Sequence, residues 1–144
     1  MGQSASDKTS IARPAADVMA VITDLESYPV WAEGVTKVEV HERDDQGRAI
    51  EATMWIDAKV FQLDYRLRYE HVNETLITWT LVEGNQITQL DGSYGLVERK
   101  GMTEVTYALE VDIALPLPGF MKKRGAKAIL ETGLRGLKAQ VEGA

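Results

Sequence analysis

The sequence predicts one α+β domain, in which an antiparallel sheet of about seven strands curves around a long C-terminal helix. Its length of 144 residues suits a single domain, and 44% hydrophobic with 26% charged residues is ordinary for a folded globular chain. Apolar and polar residues alternate along most of the chain after Val35, which is typical of strands with one buried face. An apolar stripe with helical spacing follows Pro118.

The first predicted elements are an extended stretch and two short helices. Residues 1–6 are polar and are predicted to be a disordered or tag-like tail, so the domain is expected to span residues 7–142. A first strand covers about Asp7–Ala12. Pro14 then opens a helix, because proline suits the first helical turn. Pro29 ends it, because the residue before a proline is pushed out of helical geometry, and a second short helix or turn follows.

Six strands are predicted between Val35 and Ile113. The clearest is Phe61–Tyr69, where every second residue is apolar. Short polar turns join the strands, and such connections imply antiparallel neighbours. The predicted turns are Asp44–Gly47, Asn73–Glu74, Glu83–Asn85 and Arg99–Gly101.

The last predicted element is a helix from about Phe120 to Glu142. Glycines interrupt it, and each interior glycine costs roughly 1 kcal/mol relative to alanine. Close approach of a strand or a ligand is one compensation, and the alternative is that the glycines only permit tight packing or mark fraying. The glycines are Gly125, Gly133 and Gly136, and the apolar stripe consists of Ala126, Leu130, Gly133, Leu134, Leu137 and Val141.

One helix is too narrow to cover a sheet of this size. A helix with its side chains is roughly 10 Å wide, whereas seven twisted strands extend much further. The sheet is therefore expected to curl around the helix and to enclose a cavity against it.

Composition excludes several classes of function. The chain has no cysteine, which removes disulfides, thiol nucleophiles and cysteine-based zinc sites. His41 and His71 are too few for a three-histidine site, and no metal or cofactor is predicted. The net charge of −6 argues against binding nucleic acid. No apolar run is long enough to cross a membrane and no secretory signal is seen, so a cytoplasmic location is expected.

Several segments resemble a known group of proteins. The first half carries Asp24–Trp31 followed by Val38–Val40, and the second half carries Leu90–Leu96, Thr103–Tyr107, and Val111-Asp112 before Pro116 and Pro118-Gly119. These segments are similar to the START-like helix-grip (SRPBCC) superfamily, in particular to its polyketide cyclase/dehydrase and coenzyme-Q-binding branch. The resemblance covers about residues 7–142. It implies a helix-grip fold with a cavity for an apolar small molecule between the sheet and the C-terminal helix.

The side chains expected to face this cavity are apolar or neutral. None is Asp, Glu, Lys, Arg or His, so no catalytic residue is predicted, and the tyrosine hydroxyls and tryptophan indole are expected to orient a ligand. For each aromatic residue taken alone, packing in the core is the alternative. The predicted lining is Ala52, Met54, Ile56, Tyr65, Leu67, Tyr69, Trp79, Leu81, Leu90, Tyr94, Tyr107, Leu109, Leu130, Gly133, Leu134 and Leu137.

A basic run near the start of the C-terminal helix has two interpretations. Lys122, Lys123 and Arg124 follow Pro118-Gly119, where the resemblance places the mouth of the cavity. A solvated helix face is one interpretation. The other is transient docking on an anionic membrane or on an acidic carrier protein.

These observations favour a protein that binds, and in one version transports, a hydrophobic small molecule such as a lipid, a quinone or a polyketide-like compound. The first alternative is an enzyme, a polyketide cyclase or dehydratase in which Tyr65, Tyr94 or Tyr107 orients an aromatic polyketide-like intermediate. The second alternative is a protein-interaction module with a vestigial cavity. No oligomeric state is predicted.

Overall fold

The fold is a curved antiparallel sheet that wraps around one long helix, as the sequence predicts. It is seen in a computed structural model that describes residues 2–57 and 62–143. Phe61, the predicted start of the clearest strand, lies outside these residues. The elements are β1 (Gln3–Ile11), α1 (Ala15–Thr23), a 3-10 helix (Leu25–Ser27), α2 (Tyr28–Trp31), β2 (Val35–Arg43), β3 (Ala49–Asp57), β4 (Gln62–Asn73), β5 (Leu76–Asn85), β6 (Ile87–Arg99), β7 (Met102–Ile113) and α3 (Gly119–Gly143).

The sheet order is β1-β7-β6-β5-β4-β3-β2, so β1 and β2 form its two edges. Every neighbouring pair is antiparallel. The chain must cross from one edge to the other between β1 and β2, and α1, the 3-10 helix and α2 make that crossing. These short helices therefore lie at one end of the curved sheet, where they help to close its interior.

Strand β1 begins at Gln3, so the prediction of a disordered tail over residues 1–6 is wrong for residues 3–6. Gln3 pairs with Val111, and Ser6 pairs with Ala108 of β7. The residues involved are small or polar and carry no apolar alternation, so no periodic signal marks them as a strand. Backbone hydrogen bonding to β7 makes them one.

The predicted turn at Glu83–Asn85 also lies inside a strand. β5 continues to Asn85, and the chain reverses at Gln86, which has a left-handed φ of 65°. In their described residues, β5 and β6 pair only over the short stretch from Leu76 opposite Gly95 to Trp79 opposite Gly92. Beyond Trp79, β5 follows β4 while β6 follows β7, so the sheet bends into two parts that face a common interior.

Helix α3 covers one side of that interior. Its buried stripe is Ala126, Leu130, Leu134, Leu137 and Val141, as predicted from its spacing apart from Gly133. The helix packs mainly on β1, with smaller contacts to β7, α1 and α2. Because α3 lies over the β1 side of the sheet, the concave face of β3–β6 is left with space in front of it.

Candidate ligand cavity

A cavity of about 530 Å³ occupies the space between the concave face of the sheet, α2 and α3. Its volume falls inside the range of roughly 300–1,000 Å³ that is usual for small-molecule sites. Most of the lining residues named from the sequence lie against it. These are Met54, Ile56, Tyr65, Leu67, Tyr69, Trp79, Leu90, Tyr94, Tyr107, Leu109 and Gly133.

Other residues named from the sequence do not line the cavity. On the sheet, Ala52 is fully buried beside β2 and β4, and Leu81 is half-buried opposite Leu67. On the helix, Leu130, Leu134 and Leu137 are buried in the stripe that packs away from the cavity.

The leucines of α3 miss the cavity because they lie on a different face of the helix from the residues that line it. Ile129 and Gly133 line the cavity, and each precedes a core leucine by one residue. One residue is about 100° around a helix axis, so the cavity side and the core side of α3 are adjacent faces. The large apolar stripe therefore marks the core and not the cavity.

The structure adds lining residues that the cavity prediction left out. The short helix α2 and the loop after it supply Tyr28, Trp31, Ala32, Glu33, Gly34 and Val35. The others are Asp57, Leu63, Ile87, Val111, Ile113, Ala128, Ile129 and Thr132. Leu63 and Val111 lie on the same face of their strands as the lining residues predicted there. The alternation of apolar and polar residues is therefore the signal that could have identified them. The loop and the α3 residues carry no such periodicity.

All five tyrosines of the chain line this cavity, together with Trp31 and Trp79. Trp79 is at the centre of the cluster, with ring centroids 5.4 Å from Tyr94, 5.9 Å from Tyr107 and 6.0 Å from Tyr69. Tyr94 and Tyr107 stack on each other at 4.4 Å. The spacings are those at which aromatic rings attract one another, so the rings of Tyr69, Trp79, Tyr94 and Tyr107 form one aromatic wall.

Two glycines allow these rings to sit where they do. A Cβ on Gly92 would lie 2.4 Å from a ring atom of Trp79, so only glycine leaves room for the indole to lie across β6. On α3, a Cβ on Gly133 would lie 3.0 Å from Cε2 of Tyr107. The close approach expected at a helical glycine is therefore present at Gly133, where the ring of Tyr107 packs against the helix.

The tyrosine hydroxyls are hydrogen-bonding groups and not bases. Burial is the main cause that raises the pKa of each above its ordinary value, and nearby tyrosines raise most of them further. A side-chain hydrogen bond between Tyr94 and Tyr107 lowers the pKa of Tyr94 and raises that of Tyr107. Tyr28 donates its hydroxyl proton to the carbonyl oxygen of Ile22 at 2.5 Å. All five phenols are neutral at physiological pH.

Two ionisable side chains lie at the mouth of the cavity. The prediction of a wholly uncharged lining is therefore wrong. Glu33 and Asp57 line it and are both solvent-exposed. The backbone N–H of Asp57 donates to the carbonyl oxygen of Gly34 at 2.8 Å, which ties the end of β3 to the loop after α2. Gly34 has a φ of 90°, a left-handed conformation that favours glycine. Alternation along strands does not extend to this loop, so the sequence pattern gives no sign that Glu33 and Asp57 lie at the cavity.

The histidines lie elsewhere. Nε2 of His41 is 2.6 Å from Oγ1 of Thr53, and Nε2 of His71 is 2.7 Å from the carbonyl oxygen of Ala49. Neither residue lines the cavity. Across residues 2–57 and 62–143, no group of three or more histidine or acidic side chains is arranged to hold a metal ion.

The basic run named from the sequence lies at the start of α3. Nζ of Lys122 is 3.8 Å from Oδ1 of Asp112, and the Lys122 side chain is 22% exposed. Lys123 and Arg124 are exposed. The structure therefore directs one of these cations towards β7 and the other two towards solvent.

A seven-stranded antiparallel sheet curved around one long C-terminal helix is the START-like helix-grip fold. A sequence model of the family described as polyketide cyclase / dehydrase and lipid transport matches residues 3–142, and the chain belongs to this family. Polyketide aromatase/cyclases and non-enzymatic binders are both represented in it. No curated protein matches the chain.

Solved structures share the fold over nearly the whole chain. A START superfamily protein from Mycobacterium smegmatis has a TM-score of 0.91 and 23% identity, covering 99% of both chains. The Zhui aromatase/cyclase from Streptomyces sp. R1128 has a TM-score of 0.77 and 14% identity, covering 99% of this chain and 94% of its own. A STAR-related lipid transfer protein fragment from Xanthomonas axonopodis has a TM-score of 0.72 and 17% identity, with coverage of 96% and 85%. Identities this low establish the fold alone. In the part of the chain that is described, no helix is long and apolar enough to cross a membrane.

Proposed function

We propose that this protein binds and carries an uncharged, ring-containing hydrophobic molecule in the cavity. The observation that carries the proposal is the cavity of about 530 Å³, whose interior is lined by apolar side chains and neutral hydroxyls. A lipid, a quinone or a polyketide-like compound has the required chemistry. The family and the fold neighbours support the general class of hydrophobic ligand.

The charge of the lining favours a neutral ligand. Among the described lining residues there is no lysine, arginine or histidine. A buried carboxylate or phosphate head group would therefore lack a counter-charge, which is costly in an apolar site. The exposed carboxylate of Glu33, which also lines the cavity, adds repulsion against an anionic ligand.

The volume and the aromatic lining of the cavity favour a compact ring system. About 530 Å³ corresponds to roughly 18 water molecules at ~30 Å³ each, a measure of the number of heavy atoms that fit. The rings of Trp79, Tyr94 and Tyr107 offer aromatic surface to a flat ligand. The neighbouring hydroxyls can bond to a ligand carbonyl or hydroxyl without introducing charge.

Extraction of natively purified protein tests this proposal. An organic extract analysed by mass spectrometry is expected to contain an uncharged apolar compound in near-equal molar amount to the protein. The matched control is the Gly133→Met variant, whose new side chain starts at the cavity wall beside Tyr107. The variant is expected to lose the compound. Repeated absence of cargo from the wild-type protein would contradict the proposal and favour an interaction module with a vestigial cavity.

A cyclase or dehydratase is the second candidate function. The observation that favours it is the stacked pair Tyr94–Tyr107 on the cavity wall, whose hydroxyls can orient a ligand carbonyl. Binding ranks first because the pKa of each of these phenols is raised, which makes both poor proton acceptors at neutral pH. Tyr94→Phe and Tyr107→Phe variants should still bind the extracted compound and a poly-β-ketone mimic, weakened by about tenfold at most through loss of one hydroxyl contact. Turnover of the mimic by the wild type, abolished in these variants while binding is retained, would reverse the ranking.

A further inference from the structure

One segment of this acidic protein carries a net positive charge. Residues 113–130, here named the cationic segment, contain four basic residues and no acidic residue. The chain as a whole carries −6, so the remainder carries −10 once the +4 of the segment is removed. The basic residues are Lys122, Lys123, Arg124 and Lys127.

The same segment exposes large apolar side chains. Phe120 is 66% exposed, Met121 45% and Ile129 42%. The buried stripe of α3 begins only at Ala126. The first turns of α3 therefore extend beyond the core, with apolar and basic side chains in solvent together.

The exposed cations are available to a partner. Lys122 lies near Asp112 and joins the start of α3 to β7. Lys123, Arg124 and Lys127 are exposed. This combination of exposed apolar and basic side chains on a helix is typical of segments that lie in a membrane interface.

We propose that the cationic segment docks the protein on an anionic lipid bilayer, with Phe120 and Met121 entering the interface and the exposed cations contacting head groups. The inference rests on the proposed function in one respect, namely that docking serves exchange of the bound molecule. A bilayer fits better than an acidic protein because Phe120 and Met121 are successive helical residues, about 100° apart. Such divergent side chains do not form one flat patch for a rigid partner, whereas fluid lipid accommodates them.

The position of the segment relative to the cavity supports the same inference. Ala128 and Ile129 belong to the cationic segment and also line the cavity, and both are exposed. The surface that would meet the bilayer thus includes two exposed residues of the cavity lining. An apolar ligand leaving past Ile129 would enter lipid with a short path through water.

Vesicle sedimentation tests the electrostatic part. The wild type is expected to bind vesicles that contain phosphatidylglycerol and to bind pure phosphatidylcholine vesicles weakly, with binding reduced by salt. The test variant combines Lys123→Gln, Arg124→Gln and Lys127→Gln. Each lost cation is expected to weaken binding roughly fivefold, and all three about 100-fold.

The control variant removes the same charge from another surface, through Lys8→Gln, Arg99→Gln and Lys100→Gln, and is expected to bind vesicles as the wild type does. A second test variant, Phe120→Ser with Met121→Ser, is expected to lose affinity while keeping its charge. Equal losses in the test and control charge variants, or unchanged binding of the serine variant, would overturn the inference.

The two proposals fail separately. Binding of the uncharged fluorophore N-phenyl-1-naphthylamine, measured without vesicles, reports the cavity and is expected to be unchanged in all of these surface variants. A wild type that binds the fluorophore but no vesicle would overturn the docking inference, would leave an acidic protein as the partner of the segment, and would leave the proposed function intact. A wild type that binds anionic vesicles but not the fluorophore would support docking and contradict the proposed function.

Discussion

Replacing Gly136 by alanine tests how closely α2 and α3 approach each other beside the mouth of the cavity. A Cβ at Gly136 would lie 2.6 Å from the backbone oxygen of Trp31. A backbone atom of a short helix packed in this way cannot move aside easily. Gly125 of the same helix is the matched control, because nothing lies within 4 Å of a Cβ built there.

Gly125→Ala is expected to stabilise the protein, whereas Gly136→Ala is expected to leave its stability unchanged or to lower it. Alanine in place of an interior helical glycine stabilises by about 1 kcal/mol, and Gly125→Ala should gain up to that amount. Gly136→Ala gains the same helix propensity, but its new methyl group overlaps the backbone of Trp31. This overlap lowers the free energy of unfolding by roughly 1–3 kcal/mol. The two variants should therefore differ by about 1–3 kcal/mol in the free energy of unfolding, with Gly136→Ala the less stable.

Urea unfolding followed by circular dichroism measures this difference, and thermal unfolding gives a second reading at roughly 3 °C per kcal/mol for a domain of this size. Equal stabilisation by both substitutions would contradict the close contact between Gly136 and the backbone oxygen of Trp31. It would mean that α2 does not pack closely against α3 at Gly136, and that the two helices are further apart beside the cavity.

Three further predictions concern the aromatic cluster. The pKa of all five tyrosines is raised, so the phenols should stay protonated in the folded protein through pH 10. The free energy of unfolding should therefore be unaffected below about pH 10. It should fall above that pH, because the unfolded chain then releases protons that the folded protein keeps. Ultraviolet absorbance should then show tyrosinate only on alkaline unfolding, and an earlier ionisation step would contradict this. Gly92→Ala should destabilise by roughly 1–3 kcal/mol in urea unfolding by displacing Trp79, whereas Gly95→Ala, which meets nothing within 4 Å, should not suffer this overlap. Tyr28→Phe should lose about 1 kcal/mol in the same assay, because the carbonyl of Ile22 loses its buried partner; an unchanged midpoint would show that this hydrogen bond contributes nothing.

The strand-derived part of the site could be predicted from the sequence because strand alternation is a local signal. Tyr65, Leu67 and Tyr69 share one phase of β4, so one assignment of the buried face places all three. The same phase places Trp79 and Tyr94 once antiparallel pairing is assumed. The fold class follows from this alternation together with the stripe on α3.

The helical side of the cavity could not be predicted in the same way. Large apolar residues at helical spacing mark the face that packs on the core, whereas the cavity face of α3 carries small or polar residues such as Ala128, Thr132 and Gly133. Nothing in their spacing distinguishes them from a solvated face. Glu33 is missed for a related reason, since it lies in a loop whose position depends on how α2 packs against α3.

A fluorescence titration of N-phenyl-1-naphthylamine with the wild type and two variants of α3 tests whether an apolar molecule binds between the sheet and this helix. Gly133→Met extends a side chain from the cavity wall, and Gly125→Met makes the same substitution where no neighbour lies within 4 Å. Saturable binding is expected for the wild type and for Gly125→Met, and loss of binding is expected for Gly133→Met. Equal binding by both variants would show that the probe does not enter the space between the sheet and α3.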